Sequence, residues 1–369
     1  MRRHHPRNER IKRAYLTYLE EAKRCSVKTT DQVAAAIAQF EESTNWKCFS
    51  KFHIEQAKAF KNRLNQAAHP ETGKPLAKAT VYSRLMHVKA FFLWLAGQPG
   101  YKSKIKYSDS DYFNPSANDS RVATAKRERP APSVEQIEHV LRRMPSGTMI
   151  EKRNRALIAM TIQTGMRDDA LASLPLKHVN MAEGMVEQDA RDVRTKNRKT
   201  FTTWFFPVGN LTLTIVSEWM DTLANQALFG PDDPVFPSTE MGLVEGRFAP
   251  VGLSRKCWTN ATPIRTIFKQ AFQAAGLPYF NPHSFRKTLG RLGAVVCQSP
   301  EEFKAWSQNL GHESVLTTFS SYSTVERERQ AEIMRKVGQE VAHETPQLAP
   351  DEWKALQRLA RSEAAKARQ

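Results

Sequence analysis

Five short stretches of this chain hold side chains that can bind an oxyanion, move a proton or attack an electrophile. "TGMRDDALASLPLKHV" places Arg167 just past a helix end. "RTKNRKTFTTWFFP" places Lys196 at an expected β-hairpin turn. "PHSFRKTLGRLG" sets His283 and Arg286 three apart, on one helical face. "NLGHES" puts His312 after a glycine able to end a helix. Tyr322 stands ten residues on from His312, in a run of Ser and Thr. Singly, each has an ordinary reading. An arginine past a helix C-terminus caps the last carbonyls, a lysine in a polar turn is solvated, and Gly-His ends many helices. A tyrosine in such a run is either half-buried packing or a nucleophile held near a histidine.

The elements that must position these residues are mostly helical. "PSVEQIEHVLRRM" opens with Ser133 and Gln136 at capping-box spacing, and Ile137, Val140 and Leu141 form its apolar face. "RNRALIAMTIQTG" is apolar through its middle and ends at Gly165. Three β-like pieces follow, "GMVEQ", "DVRTK" and "TFTTWFFP", predicting one small antiparallel sheet. Helical patterning returns in "LTLTIVSEWMDTL", "PIRTIFKQAFQAAG", "HSFRKTLGRLGAVV" and "SPEEFKAWSQNLG". The last begins with Ser299 as cap, Pro300 at the first position and Glu302 at the third.

The first third also reads as helices. Val33, Ile37 and Phe40 share a face, as do Ile54, Phe60 and Leu64. A third helix starts after Thr80 as cap, lines up Leu85, Val88, Phe92 and Leu95, and carries Arg84, His87 and Lys89 on its other face. Such basic faces either lie on a phosphate backbone or are simply solvated. Residues 114–132 lack apolar periodicity and read as a linker. Its basic cluster Lys126, Arg127 and Arg129 either touches a polyanion or faces water.

Composition bounds the partners. The 369 residues suffice for two domains, with 55 Lys/Arg against 38 Asp/Glu, a net charge of +17 and a pI near 9.8. From Met1 to Arg129 there are 25 Lys/Arg against 12 Asp/Glu, so most of the excess lies in the first third. This balance points to a polyanion, nucleic acid above all. The scattered cysteines Cys25, Cys48, Cys257 and Cys297 speak against a structural zinc site and a disulfide framework, and suit a reducing cytosol. No apolar signal region follows the basic start, and no apolar run is long enough to span a bilayer. The expectation is a cytoplasmic protein.

Taken in order, Arg, Lys, His-x-x-Arg, Gly-His, Tyr is the order of the tyrosine recombinases, the phage-integrase family. The chain resembles that family from roughly residue 10 to residue 335. "TGMRDDAL" is similar to the family's TGxR-x-x-E-L element, "HSFR" matches its H-x-x-R, and "LGHESVLTTFSSY" resembles its LGH-x-S…TT…Y element. The first third is similar to the family's helical core-binding domain only in size, helix pattern and charge. The implied fold is mainly α with a small antiparallel β-sheet. A helical DNA core-binding domain (1–113) is joined by the linker (114–132) to an α+β catalytic domain (133–340), followed by a basic tail (341–369).

The resemblance implies a site-specific integrase or recombinase that cuts one DNA strand with Tyr322, leaving a 3′-phosphotyrosine and a free 5′-hydroxyl. Arg167 and Arg286 would clamp the non-bridging oxygens, since guanidinium forks stay charged and pair with oxyanions. Lys196 would protonate the departing 5′-oxygen. His283 would bond the phosphate or act on the tyrosine proton, and His312 would bond a non-bridging oxygen. This set needs neither metal nor cofactor. The expected partners are duplex DNA with an inverted-repeat core site, a second protomer on that site, four protomers in synapsis, and an accessory excision or bending factor. The natural location is the cytoplasm of a bacterium, at the nucleoid, and the natural host a mobile element.

Three departures from the family pattern matter. Ala170 stands where the family has an acid, with Asp168 and Asp169 beside it as replacements. Ten residues rather than nine separate His312 from Tyr322. Lys287 follows Arg286 where the family often has His. In sequence the closest upstream tyrosine, Tyr279, precedes the His-x-x-Arg motif. Two rival readings share the charge: a type IB topoisomerase-like nicking and rejoining enzyme, and a catalytically silent DNA-binding or architectural protein. A metal-dependent nuclease fits poorly, because Asp168, Asp169 and "DARD" read as solvated turns.

Overall fold

The computed structural model describes residues 4–69, 72–125, 130–312, 331, 332, 334 and 335. The chain divides into two compact units, Met1–Glu128 and Arg129–Gln369.

The first unit is a helical bundle. Helix α1 (Pro6–Thr17) runs into a π-helical turn (Tyr18–Ala22), followed by α2 (Val27–Ser43), α3 (Ile54–Gln66) and α4 (Lys78–Leu95). The predicted faces are the buried ones: Val33, Ile37 and Phe40 on α2, Phe60 and Leu64 on α3, and Leu85, Val88, Phe92 and Leu95 on α4. Phe40 and Phe92 meet edge-on at 5.1 Å, and Phe49 meets Phe91 at the same distance. Asn8 and Glu41 are fully buried yet satisfied: the Asn8 amide donates to Glu41 and to the Lys47 carbonyl, and accepts from the Phe49 amide.

Two expectations change here. Helix α4 starts at Lys78 with Ala77 as cap, so Thr80 lies inside the first turn instead of capping it. Within the expected linker, Ala117–Thr124 forms helix α5, capped by the Ser116 hydroxyl, which accepts from the Asp119 amide at 3.0 Å. It has no buried residue, so its helix rests on its cap and on local bonds, which apolar periodicity does not report. Lys78 on α4 also holds Asp119 at 2.8 Å.

The second unit begins with α6 (Val134–Arg143) and α7 (Met149–Thr164). Ser133 and Gln136 form the predicted reciprocal cap of α6, at 3.2 and 3.0 Å. Helix α7 is buried along most of its length and stops at Gly165, whose φ of 61° is left-handed. The short α8 (Asp168–Leu171) follows. Strands β1 (Val179–Asn180), β2 (Met185–Gln188) and β3 (Phe201–Trp204) make an antiparallel sheet in that order, with Val186 opposite Thr203. "DVRTK" is not a strand. Asp189 caps that turn through its carbonyl, which accepts from the Asp192 and Val193 amides, and the backbone leaves the ladder.

After α9 (Asn210–Asp221) comes a second sheet that the sequence reading missed, the hairpin β4 (Thr239–Val244) and β5 (Arg247–Leu253). Its turn is Glu245-Gly246, both at positive φ, and Pro250 and two glycines blur its alternation. The unit closes with α10 (Thr262–Ala274), α11 (Pro282–Val296) and α12 (Pro300–Asn309), the last capped by Ser299 as expected. Among the described residues no helix is long and apolar enough to cross a membrane.

Candidate active site

Arg286 organises the site. It lies in the second turn of α11, whose start is fixed by Asn281 as cap and Pro282 at the first position. Its side chain is only 2% exposed. One terminal nitrogen donates to the Gly165 carbonyl at the end of α7, and the other to the Leu310 carbonyl at the end of α12. The second also donates to Nε2 of His312 at 2.9 Å. One guanidinium thus ties the "TGMR", "HSFR" and "LGH" stretches together. It satisfies helix-end carbonyls that burial would otherwise leave costly.

Two glycines permit this closeness. A Cβ at Gly165 would lie 2.8 Å from Leu310 and 2.9 Å from Leu289. A Cβ at Gly311, where φ is 69°, would lie 2.7 Å from the Phe201 ring. Asn309 fastens the same helix end to β3: its amide oxygen accepts from the Trp204 amide at 2.7 Å and its nitrogen donates to the Trp204 carbonyl at 2.9 Å.

Arg167 is the N-cap residue of α8, immediately after the turn that Gly165 makes, and is half-buried. Both histidines sense it. Burial, then the charges of Arg286, Arg167 and His283, push His312 down to about 4. Desolvation, then Arg286 and Arg167, also lower His283, although that residue is partly open to solvent. Both imidazoles are therefore neutral at neutral pH. Because a guanidinium only donates, His312 Nε2 accepts, and its proton sits on Nδ1.

Lys196 stands exposed on the β2–β3 connection, with Asn197 and Arg198 at positive φ behind it. Its side chain forms no hydrogen bond or ion pair with any described residue. Tyr322, Lys126, Arg127 and Arg129 lie outside the described residues. In the helical unit, Lys89 is held by Asp111 at 2.8 Å and Asn114 at 2.9 Å. Arg84 lines an open concavity with Lys12 and His87.

The acids expected as solvated turns are ion-paired instead. Asp168 accepts from Arg265 at 2.8 Å and Asp169 from Arg194 at 3.0 Å. In the "DARD" stretch Asp189 binds Arg191 and Asp192 binds His178 and Lys177. Sequence reasoning also missed Tyr279 and Arg265, which line one cavity with Arg167 and His283. No spacing rule joins positions 167, 265 and 279.

Two arginines and two neutral histidines beside a pair of helix ends have the chemistry to bind a phosphoryl oxyanion. Residues 133–329 match the family model described as the phage integrase family. The chain belongs to that family, the tyrosine recombinases, which cleave and rejoin DNA. The tyrosine recombinase XerC of Serratia marcescens is 23% identical over 320 residues, which is 83% of this chain and 87% of its own length. XerC of Xylella fastidiosa is 23% identical over 251 residues, covering 67% and 71%. Among solved structures, a lambda integrase dimer bound to a COC′ core site aligns over 86% of this chain and 96% of its own, with a TM-score of 0.57 at 14% identity. The Tn1549 transposon integrase in complex with transposon right end DNA aligns over 89% and 99%, with a TM-score of 0.53 at 13% identity. These two show the shared fold.

Proposed function

We propose that this chain is the site-specific recombinase of a mobile genetic element, acting through a 3′-phosphotyrosine on Tyr322. Arg167 and Arg286 hold the non-bridging oxygens of the scissile phosphate. His312 donates to one of them from Nδ1, and His283, also neutral, bonds the phosphate or takes the tyrosine proton. Lys196 delivers the proton to the 5′-oxygen, reaching the site once DNA is bound. The observation that carries this reading is the Arg286 guanidinium, which draws three separate sequence stretches together. The phosphotyrosine conserves bond energy, so rejoining requires no nucleotide.

The helical unit is the natural grip on the core site, with Arg84 and the basic run at Lys126, Arg127 and Arg129 on the phosphates. Lys89 contributes less, since Asp111 already neutralises it. Two protomers on an inverted repeat and four in synapsis, in the cytoplasm and aided by an excision or bending factor, complete the proposal.

The test is a suicide duplex carrying a nick at the core site found from the junctions flanking the gene, incubated in EDTA and run on a denaturing gel. A covalent protein–DNA band lost in Tyr322→Phe and kept in Tyr279→Phe supports the assignment. A band lost only in Tyr279→Phe moves the nucleophile to the cavity tyrosine. DNA binding without any covalent band favours the architectural alternative, and cleavage and rejoining without synapsis the topoisomerase-like one.

A further inference from the structure

The cavity beside Arg167, about 450 Å³ in volume, contains more than the proposed catalytic set requires. Arg265 reaches it from the first turn of α10 and Tyr279 from the loop before α11. The Arg265 Nε donates to Asp168 at 2.8 Å. Its two terminal nitrogens and the Tyr279 hydroxyl form no hydrogen bond with any described residue, and half of the Arg265 side chain is exposed. Asp168 directly follows Arg167 in sequence, so its grip on Arg265 holds a second guanidinium in the cavity that Arg167 lines. With two guanidiniums, one carboxylate and a neutral His283, the cavity carries a net positive charge.

We propose that Arg265 and Tyr279 form a second phosphate-binding subsite, which takes the DNA phosphodiester next to the one cleaved. This rests on the recombinase reading above. The chemistry fits that ligand: a guanidinium edge presents two parallel donors to an oxyanion, and a tyrosine hydroxyl supplies a third. The Asp168 bond orients the fork without consuming it. Filling the subsite also loads the Arg265–Asp168 contact that seats Arg167, so correct DNA placement on one phosphate steadies the clamp on the next. In this chain Ala170 replaces the family's acid, and Asp168 provides a carboxylate two residues earlier.

The experiment uses the full chain and core-site duplexes, each with one neutral methylphosphonate at a single position around the cleavage point. Binding and covalent-complex yield are compared for wild type, Arg265→Gln, Arg265→Lys and Tyr279→Phe. Wild type should bind about tenfold more weakly when the neighbouring phosphate is neutral, the loss of one charge-assisted contact. Arg265→Gln and Tyr279→Phe should bind the all-phosphate duplex more weakly and show little further loss at that position. Arg265→Lys should recover part of the affinity. If wild type ignores the neighbouring methylphosphonate, the subsite does not exist. If Arg265→Gln lowers binding to every duplex equally and keeps the full interference, Arg265 acts only on Asp168 and the subsite is likewise refuted. If wild type gives no covalent complex on any duplex, the recombinase reading fails and takes this inference with it.

Discussion

The Arg286 guanidinium donates to Nε2 of His312 across 2.9 Å, which fixes that imidazole as the neutral Nδ1–H tautomer. Protonating the ring would set two cations against each other in a half-buried site. Its pKa accordingly falls to about 4, through burial first and then the charges of Arg286 and Arg167.

A pH dependence of stability follows. In the unfolded chain a histidine protonates near pH 6.5. Between about pH 6.5 and pH 4 the unfolded state therefore binds a proton that the native His312 refuses, and stability falls as the solution is acidified through that window. His283, shifted in the same direction, adds to it. Allowing for solvent screening, the His312 share should be about 1–2 kcal/mol. Urea unfolding of wild type and His312→Gln at several pH values isolates it: the glutamine variant should lose less stability on acidification. Parallel curves for the two proteins would rule the mechanism out.

Arg286 has a structural role besides the proposed phosphate clamp. Arg286→Ala strips the donors from the Gly165 and Leu310 carbonyls, and should destabilise the second unit by roughly 2–4 kcal/mol. Arg286→Lys keeps the charge but has no planar fork to span both helix ends, so it should recover only part of that loss. Denaturant titration gives the stabilities, and binding to a core-site duplex shows whether DNA affinity falls with them. An Arg286→Ala variant as stable as wild type would mean the carbonyls find other donors.

How much of this was readable beforehand depends on distance along the chain. Local rules worked where the cause is local. Ser133 with Gln136, Gly165 behind α7 and Ser299 before α12 each act within four residues, and each stands where the sequence predicted. The motif order likewise picked out Arg286 and His312. What pairing across the fold decides was not legible. Nothing at position 265 announces an arginine that grips Asp168, 97 residues away. Nor does the sequence show that the Arg286 side chain serves backbone carbonyls, or that Tyr279 shares a cavity with Arg167. The β4–β5 hairpin escaped for another reason: Met241, Leu243, Phe248 and Val251 are exposed, so no buried face imposes a clean alternation.

Gly311 offers a sharper geometric test. Gly311→Ala meets two separate obstacles, a left-handed backbone and the Phe201 ring 2.7 Å from the new Cβ. The expected loss is about 1–3 kcal/mol. Adding Phe201→Leu should relieve the steric part and leave the backbone part, so the double variant should be more stable than the two single losses sum to. Thermal melts of the four proteins close the cycle. Strict additivity would show that the ring simply moves aside.

Lys196 forms no hydrogen bond or ion pair with any described residue, so its proposed role needs a chemical test in place of a geometric one. A general acid matters only while the leaving group needs a proton. Lys196→Ala should slow cleavage of an ordinary core-site strand by about 10²- to 10⁴-fold. A 5′-bridging phosphorothiolate replaces the departing oxygen with sulfur, a thiolate that leaves without protonation. On that strand the variant should regain most of the wild-type rate of covalent-complex formation, measured in single turnover. Arg286→Lys should show no such rescue, because it impairs the phosphate clamp and not the leaving group. If Lys196→Ala remains equally slow on the sulfur substrate, the lysine is binding DNA and the proton comes from another donor.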